Sequence, residues 1–343
     1  MNLSSQLPVH KILVIAPSWV GDTVMAQPLF KRLHERHPGL VLDVLAPAWT
    51  LPLLKHMPEV RDGIANPFGH GELKLAGRYR LGKALRERRY DQAIILPNSL
   101  KSALIPFFAR IPLRTGFVGE MRWGLINDAR HLDQQALPLM VERFALLAEE
   151  NAAPLQRPVP PASLQTNEAQ RQQTLNKLGL AAHKPVAAFC IGAEFGPAKR
   201  WPAEHFAALA KLIADRYEIW LIGSPKDQST GDHIQTLSKG ACLNLCGKTG
   251  LSEAIDLLSS ATLVVSNDSG LMHVAAALDK PMLALYGSSS PGFTPPLSDK
   301  ARIISLNLPC SPCFKRECPL GHFNCMMHMT PQSISEQITR LTV

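Results

Sequence analysis

The chain has 343 residues, of which 46% are hydrophobic and 19% are charged. This length is too great for one ordinary core and suits two domains, and the composition excludes a disordered chain. The formal net charge of +8 favours an acidic partner. Charge alone does not choose among nucleic acid, an anionic membrane surface and a phosphorylated substrate.

The start of the chain carries no recognisable export signal. The first apolar run, Ile12–Ala16, ends at Pro17 and is shorter than the apolar region of a signal peptide. No run approaches the roughly 18 apolar residues that a membrane-spanning helix needs. Seven cysteines, an odd number, do not describe a secreted disulfide scaffold. We therefore expect a soluble cytoplasmic protein, with peripheral contact to a membrane face left open.

In the first half of the chain, short aliphatic runs alternate with amphipathic segments. A buried strand is predicted over Lys11–Ala16 and a helix from about Thr23 to Arg36. Two more strands are predicted over Val41–Ala46 and Gln92–Leu96, with a basic helix over Leu81–Arg89 between them. This alternation is typical of βαβ units and a parallel sheet.

A stiff linker is predicted over residues 151–163, because this stretch holds four prolines and almost no periodicity. After it the alternation begins again. The predicted strands are Pro185–Cys190, Glu218–Ile222, Thr262–Ser266 and Pro281–Leu285, and the predicted helices are Pro202–Arg216, Ser252–Ser260 and Ser269–Leu278. Two α/β halves of this kind are expected to leave a cleft, with ligands at the carboxyl ends of the strands.

The segment from Pro17 to Asp22 joins the first predicted strand to the first helix. Gly21 permits a close approach of the backbone to a ligand. Asp22 has two interpretations of about equal weight. It is either the N-cap of the helix or a carboxylate at the carboxyl end of the strand, where it would act as a general base on a hydroxyl.

A second candidate site follows the strand that ends at Ser266. The sequence Asn-Asp-Ser-Gly opens a helix there, with His273 in its first turns. Exposed N–H groups and the helix dipole suit a phosphate at such a position, and an ordinary capped helix start is the alternative. The polar residues at the end of the strand favour binding of an anion or a ribose.

A third candidate site is the loop between Gly192 and Pro202, which also joins a strand to a helix. Lys199 and Arg200 would clamp phosphate oxygens there, and a solvated basic loop is the alternative. No Asp-x-Asp pair, G-x-G-x-x-G or complete P-loop occurs in the chain. A mechanism without a catalytic metal is therefore preferred.

A cysteine-rich segment lies near the end of the chain. It holds Cys310, Cys313, Cys318 and Cys325, with His322 and His328 nearby. Structural zinc needs four ligands, usually as two closely spaced pairs, and the second pair here is more widely spaced. Both a structural zinc site and a reduced, packed cysteine loop remain open, and the second is favoured.

Several strings of sequence together carry a resemblance that extends from the first strand to about Ser298. They are PSWVGD, LPNSLKSALIPFF, RTGFVGEMRWGL, LPLMVERF, GAEFGPAKRWP, SNDSGLMHVAAAL and FTPPLS. The chain resembles the lipopolysaccharide heptosyltransferases of glycosyltransferase family nine. It resembles type II more than type I, whose first loop is usually Lys-Thr-Ser-Ser-like where this chain has Ala16 to Trp19. The cysteine-rich segment resembles a tail that some members lack, so the resemblance gives it no catalytic role.

The resemblance implies a GT-B fold, in which two Rossmann-like domains face a central cleft. Residues 1–160, joined by the C-terminal helix 331–343, would bind the acceptor, and residues 161–330 would bind ADP-heptose. The reaction would be inverting transfer of L-glycero-D-manno-heptose from ADP-L-glycero-β-D-manno-heptose to the 3-hydroxyl of the first inner-core heptose of heptosyl-Kdo2-lipid A. This is a step of lipopolysaccharide core synthesis in Gram-negative bacteria, at the cytoplasmic face of the inner membrane.

The resemblance also implies roles for particular residues. Asp22 would be the general base, and Lys199 would neutralise the departing diphosphate. The implied donor contacts are Ser18, Gly21, Asp268, Ser269, Gly270, Leu271 and His273. The expected acceptor contacts are Asn98, Ser99, Lys101 and Arg122. No cofactor would be required, and no nucleic acid would bind.

The alternatives to this function are a heptosyltransferase of type I or III, a nucleotide-sugar epimerase of the same architecture, and a nucleotide-sugar binder without activity.

Overall fold

The computed structural model describes residues 10–69 and 71–342, and the chain forms two compact units that divide between Pro160 and Pro161. Each unit contains one six-stranded sheet in which all registered strand pairs are parallel. The predicted α/β class is confirmed. Among the described residues, no helix combines the length and the apolar character that crossing a bilayer requires.

The sheet of the first unit has the order β3-β2-β1-β4-β5-β6. Its strands are β1 (Lys11–Ile15), β2 (Val41–Pro47), β3 (Asp62–Asn66), β4 (Gln92–Ile95), β5 (Leu113–Phe117) and β6 (Asp128–Arg130). Its helices are α1 (Val20–Met25), α2 (Gln27–Arg36), α3 (Leu51–Leu54), α4 (Leu75–Leu85), α5 (Leu100–Phe108) and α6 (Met140–Leu146). Ile12, Leu13 and Val14 of β1 are fully buried, because this strand lies in the middle of the sheet.

The helix predicted from Thr23 to Arg36 is two helices in the structure. The first, α1, already begins at Val20, and the second begins after Ala26 with Pro28 in its first turn. Proline has no N–H to continue a preceding helix and is tolerated in a first turn. Trp19 is the N-cap of α1, so Asp22 is the third helical residue and the N-cap interpretation of Asp22 is wrong.

The predicted basic helix over Leu81–Arg89 also differs from the structure, because α4 begins earlier and ends at Leu85. A single 3-10 turn over Arg86–Arg88 follows it.

The sheet of the second unit has the order β12-β11-β10-β7-β8-β9. Its strands are β7 (Val186–Cys190), β8 (Glu218–Ile222), β9 (Cys242–Asn244), β10 (Leu263–Asn267), β11 (Met282–Tyr286) and β12 (Ala301–Ser305). Its helices are α7 (Glu168–Lys177), α8 (Ala203–Ile213), α9 (Gln228–Leu237), α10 (Leu251–Ser260), α11 (Gly270–Ala277), α12 (Asn324–Met327) and α13 (Pro331–Thr342).

The last helix, α13, packs within the second unit. Its residues Ile334 and Ile338 are fully buried in the same core as Phe206 and Ile213 of α8. Their spacing of four residues places both on one face of the helix, and burial of that face attaches the helix to α8. The expectation that this helix joins the first unit is therefore corrected. Val343, the last residue of the predicted segment, lies outside the described residues.

Candidate active site

A pocket of about 290 Å³ opens in the first unit beside the loop that follows β1. Ser18, Trp19 and Asp22 border it, and Asp22 is half-buried there. The other lining residues are mostly apolar, and they are Pro17, Leu96, Pro97, Asn98, Phe117, Leu132, Met140, Arg143 and Phe144. The structure therefore places the predicted base at an open pocket with largely apolar walls.

The loop that carries Ser18 is held by a contact from a neighbouring strand end. The indole nitrogen of Trp49 donates a hydrogen bond of 2.9 Å to the carbonyl oxygen of Ser18. Gly21 is buried in the first turn of α1. Ser18 and Gly21 thus lie beside Asp22 in the first unit, as their sequence positions require.

Arg143 of α6 is a cation at this pocket that sequence reasoning missed. Its Nε donates to the carbonyl oxygen of Leu137 at 2.9 Å, and burial lowers its pKa. A guanidinium nevertheless keeps its charge near neutral pH. Arg143 lies in the string LPLMVERF that carries the resemblance, and nothing in the local sequence pattern links it to the loop after β1.

The expected acceptor contacts divide into accessible and inaccessible residues. Asn98 is exposed and lines the pocket, and Ser99 is the half-buried N-cap of α5. Lys101 is half-buried in the first turn of α5. The carboxylate of Glu120 accepts from the first N–H of α5, at Leu100, over 2.8 Å. These contacts fix the start of α5 and the position of Asn98 at its edge.

Arg122 has a different place. Only 2% of it is exposed, and burial lowers its pKa. Its guanidinium donates to the carbonyl oxygens of Pro97, at 2.8 Å, and of Phe117, and it reaches Oδ1 of Asn98 at 3.4 Å. Arg122 therefore supports the loop that carries Asn98 from inside the protein. The expectation that Arg122 binds the acceptor directly is corrected, because a buried guanidinium bonded to carbonyls has no surface to offer.

The second unit assembles a cluster around Asp268, which follows β10 and is 4% exposed. The Nζ of Lys199 lies 2.5 Å from Oδ2 of Asp268, across 69 residues of sequence. The hydroxyl of Ser289 donates to the same oxygen. The structure thus joins two predicted residues in one ion pair and adds a third that was not predicted.

The neighbouring residue Asn267 links the loops after β7 and β10. Its side-chain nitrogen donates to the carbonyl oxygen of Ile191 at 2.7 Å, and its Oδ1 accepts from the N–H of Trp201 at 3.0 Å. Asn267 begins the Asn-Asp-Ser-Gly run that the sequence analysis singled out, whereas Ser289 was missed. Parallel register would have indicated Ser289, because Asn267 pairs with Leu285 and the chain leaves both strands at the same edge of the sheet.

The helix α11 begins beside this cluster. Ser269 is its N-cap without a side-chain cap bond, and Gly270 and Leu271 are its first, half-buried residues. The first N–H groups of a helix have no partner within it and favour an anion. Burial lowers the pKa of His273 to about 4, with the Asp268 carboxylate opposing this shift and Lys199 adding to it. The imidazole of His273 is therefore neutral at neutral pH.

The side chain of Arg200 does not point to the Asp268 cluster, unlike that of Lys199. Its guanidinium lies 3.7 Å from the carboxylate of Asp227 and 3.4 Å from the carbonyl oxygen of Ala193. The two side chains diverge because Arg200 follows the 3-10 turn in an extended backbone conformation. The expectation that Lys199 and Arg200 both bind the same phosphate is therefore wrong for Arg200.

The cysteines of the C-terminal segment form no disulfide. Across residues 10–69 and 71–342, no three His, Cys, Asp or Glu side chains are grouped to hold a metal ion. The Sγ of Cys318 accepts from the N–H of Phe323 at 3.4 Å, and backbone hydrogen bonds lower the pKa of this thiol. Burial raises the pKa of Cys325, and the neighbouring thiols of Cys310, Cys313 and Cys318 raise it further.

The chain is similar to known proteins of one family. The family described as "Glycosyltransferase family 9 (heptosyltransferase)" matches residues 78–324. The chain is 50% identical to lipopolysaccharide heptosyltransferase 2 of Escherichia coli K12, over 96% of this chain and 98% of that protein. It is 47% identical to lipooligosaccharide heptosyltransferase 2 of Haemophilus influenzae, over 96% and 99% of the two chains.

A solved structure gives the same result. The structure of E. coli ADP-heptose lps heptosyltransferase II superimposes with a TM-score of 0.88 at 47% identity, covering 96% of this chain and 98% of that one. This similarity shows an α/β fold of the GT-B type, with one parallel six-stranded sheet in each unit. The chain therefore belongs to glycosyltransferase family 9, the heptosyltransferase family, and is a glycosyltransferase of lipopolysaccharide core synthesis.

Proposed function

We propose that the chain transfers L-glycero-D-manno-heptose from ADP-heptose, with inversion, to the 3-hydroxyl of the first inner-core heptose of heptosyl-Kdo2-lipid A. The observation that carries this proposal is the 50% identity to a lipopolysaccharide heptosyltransferase 2 over nearly the whole of both chains. The similar solved protein is named for ADP-heptose, which supports the choice of donor.

The donor diphosphate is assigned to the cluster around Asp268. Lys199 supplies a cation, and the start of α11 supplies N–H groups of the kind that bind phosphate. As the bond between C1 of the heptose and the β-phosphate oxygen breaks, negative charge grows on that oxygen. A preorganised cation and oriented N–H groups stabilise that charge. The neutral imidazole of His273 adds no charge of its own at this position.

The acceptor is assigned to the pocket of the first unit, with Asp22 as the general base. The 3-hydroxyl oxygen forms the new bond to C1 while its proton passes to the Asp22 carboxylate, and ADP leaves with the electrons of the broken bond. One displacement of this kind inverts the β-linked donor to an α-linked product. The proposal requires both units to serve one reaction, because Asp22 belongs to the first and Lys199 to the second.

We propose that the reaction needs no metal, because Lys199 and the N–H groups at the start of α11 stabilise the negative charge on the departing diphosphate. A structural zinc held by Cys310, Cys313, Cys318 and Cys325 is a separate prediction from the sequence. It expects about one zinc per chain in protein prepared without chelators, and a lower melting temperature after chelation. Cys313→Ser should lose the zinc and lower the melting temperature. Zinc-free protein with the same melting temperature before and after chelation would contradict the zinc site.

The location is proposed to be the cytoplasmic face of the inner membrane, where a lipid-anchored acceptor is available. The net charge of +8 supports contact with an anionic lipid surface. The fraction of protein that sediments with vesicles containing anionic lipid should fall as the salt concentration is raised. Vesicles of neutral lipid should bind little protein at any salt concentration.

The deciding experiment mixes the purified chain with ADP-heptose, with and without the heptosyl-Kdo2-lipid A acceptor. A transferase makes ADP only when acceptor is present, and mass spectrometry of the product should show one added heptose. An epimerase would change the nucleotide sugar without acceptor, and a binder would do neither. Transfer to Kdo2-lipid A that carries no heptose would indicate type I specificity instead.

A further inference from the structure

The C-terminal cysteine-rich stretch, residues 308–325 and here called the cysteine loop, packs against both loops that form the Asp268 cluster. The N–H of Phe314 donates to the carbonyl oxygen of Ser288 at 2.7 Å. The N–H of Ala198 donates to the carbonyl oxygen of Arg316 at 3.0 Å. The cysteine loop is therefore bonded to the residue before Ser289 and to the residue before Lys199.

This contact is too close for any side chain at position 196. A Cβ atom on Gly196 would lie 2.5 Å from the carbonyl oxygen of Arg316, which is main chain and has little room to move. Glycine at this position is what permits the two segments to meet. The backbone of Arg316 is thus held at the Lys199 loop by close packing as well as by a hydrogen bond.

The side chain of Arg316 contacts the same aromatic ring as Lys199. Its guanidinium carbon lies 5.5 Å from the centre of the Phe195 ring, and the Nζ of Lys199 lies 5.2 Å from that centre. Arg316 is exposed, and in the part of the chain that the structure describes no carboxylate lies within ion-pair distance of it. The Arg316 guanidinium and the Lys199 ammonium therefore both lie within about 6 Å of the centre of one ring.

The charge of Lys199 is already matched in this structure, because Lys199 pairs with the buried carboxylate of Asp268. The pair is neutral as a unit. A nucleoside diphosphate brings several negative charges to this place, and it needs positive charge beyond that of the pair. Arg316 supplies such a charge, and a guanidinium is suited to binding two phosphate oxygens at once.

We propose that Arg316 binds the diphosphate of the nucleotide sugar beside Lys199, so that the cysteine loop is part of the donor site. This inference rests on the proposed use of a nucleoside diphosphate donor. It gives the cysteine-rich segment a role in binding that the family resemblance did not assign to it.

The test measures the dissociation constant of ADP alone by titration calorimetry, without acceptor. Arg316→Ala should weaken ADP binding about 10-fold or more, the scale of one charge-assisted hydrogen bond, while adenosine binds as before. Arg316→Lys should restore part of the loss. Lys315→Ala is the matched control, because it removes one positive charge from an exposed neighbour in the same loop, and it should change ADP binding less than about 2-fold.

A second variant tests the docking of the loop. Gly196→Ala should weaken ADP binding through displacement of Arg316, whereas Gly250→Ala, whose added Cβ would meet no atom closer than 3.9 Å, should not. ADP binding by Arg316→Ala at the wild-type level would overturn the inference and leave the proposed function standing. Equal losses for ADP and adenosine would also overturn it, and failure of the wild type to bind ADP would overturn both.

Discussion

The Asp22 pocket and the Asp268 cluster present their carboxylates in opposite ways. Asp268 is almost fully buried, and one of its oxygens already accepts from Lys199 and Ser289. Asp22 is half-buried at the edge of a pocket with mostly apolar walls. A carboxylate held by hydrogen bonds is suited to positioning a cation, and one beside an open pocket is suited to receiving a proton. Both residues are aspartates, so the difference between their two proposed roles comes from their burial and their hydrogen-bond partners.

The largest effect is expected at Asp22. Asp22→Asn keeps the shape of the side chain and removes its basic oxygen, so kcat should fall about 10²–10⁴-fold. The melting temperature and the affinity for ADP-heptose should change little, because the proposed donor contacts lie mainly in the second unit. Steady-state kinetics, thermal unfolding and calorimetry on one preparation check all three expectations.

Glu35→Gln is a suitable control for Asp22→Asn, because it removes an exposed carboxylate of the same unit that pairs with Arg32 and does not line the pocket. The kcat of Glu35→Gln should equal that of the wild type. Near-normal kcat in a well-folded Asp22→Asn protein would end the assignment of Asp22 as the base.

A smaller loss of activity is expected at Lys199. Lys199→Ala should lower kcat about 10²-fold, the scale of losing one preorganised electrostatic partner. It should also reduce stability by about 1–3 kcal/mol, because Asp268 stays buried without its cation. The added change Asp268→Asn should recover stability without recovering kcat. An unchanged kcat with a raised KM would show that Lys199 binds the donor equally in the ground and transition states.

The smallest effect concerns His273 and the pH dependence of stability. The ordinary pKa of 6.5 applies to the unfolded chain, and burial lowers the folded value to about 4. Between these values the unfolded state binds more protons, so stability is fully present above pH 6.5 and falls as the pH falls toward 4. The slope from this group is at most about 1.4 kcal/mol per pH unit. Urea unfolding of His273→Gln should show a shallower slope between about pH 6.5 and 5, and an unchanged slope would disprove this account.

The strands that we predicted from sequence are confirmed within one or two residues, and they occupy the middle of the two sheets. In the first unit they are β2, β1 and β4, and in the second β11, β10, β7 and β8. Central parallel strands are buried on both faces and therefore show as continuous apolar runs. Strands such as β3 and β9, at the edges, are short or alternate with exposed residues, and sequence reasoning missed them.

The sequence by itself determined the α/β class, and it predicted a linker over residues 151–163 and candidate residues at the strand ends. These follow from hydrophobic periodicity and local turn chemistry, which act over a few residues. Only the tertiary structure paired Lys199 with Asp268, turned Arg200 toward Asp227 and buried Arg122 beneath the loop it supports. It alone brought Arg316 to the ring of Phe195. Each of these contacts joins segments that are distant in sequence, and strand order and side-chain packing decide which of them meet.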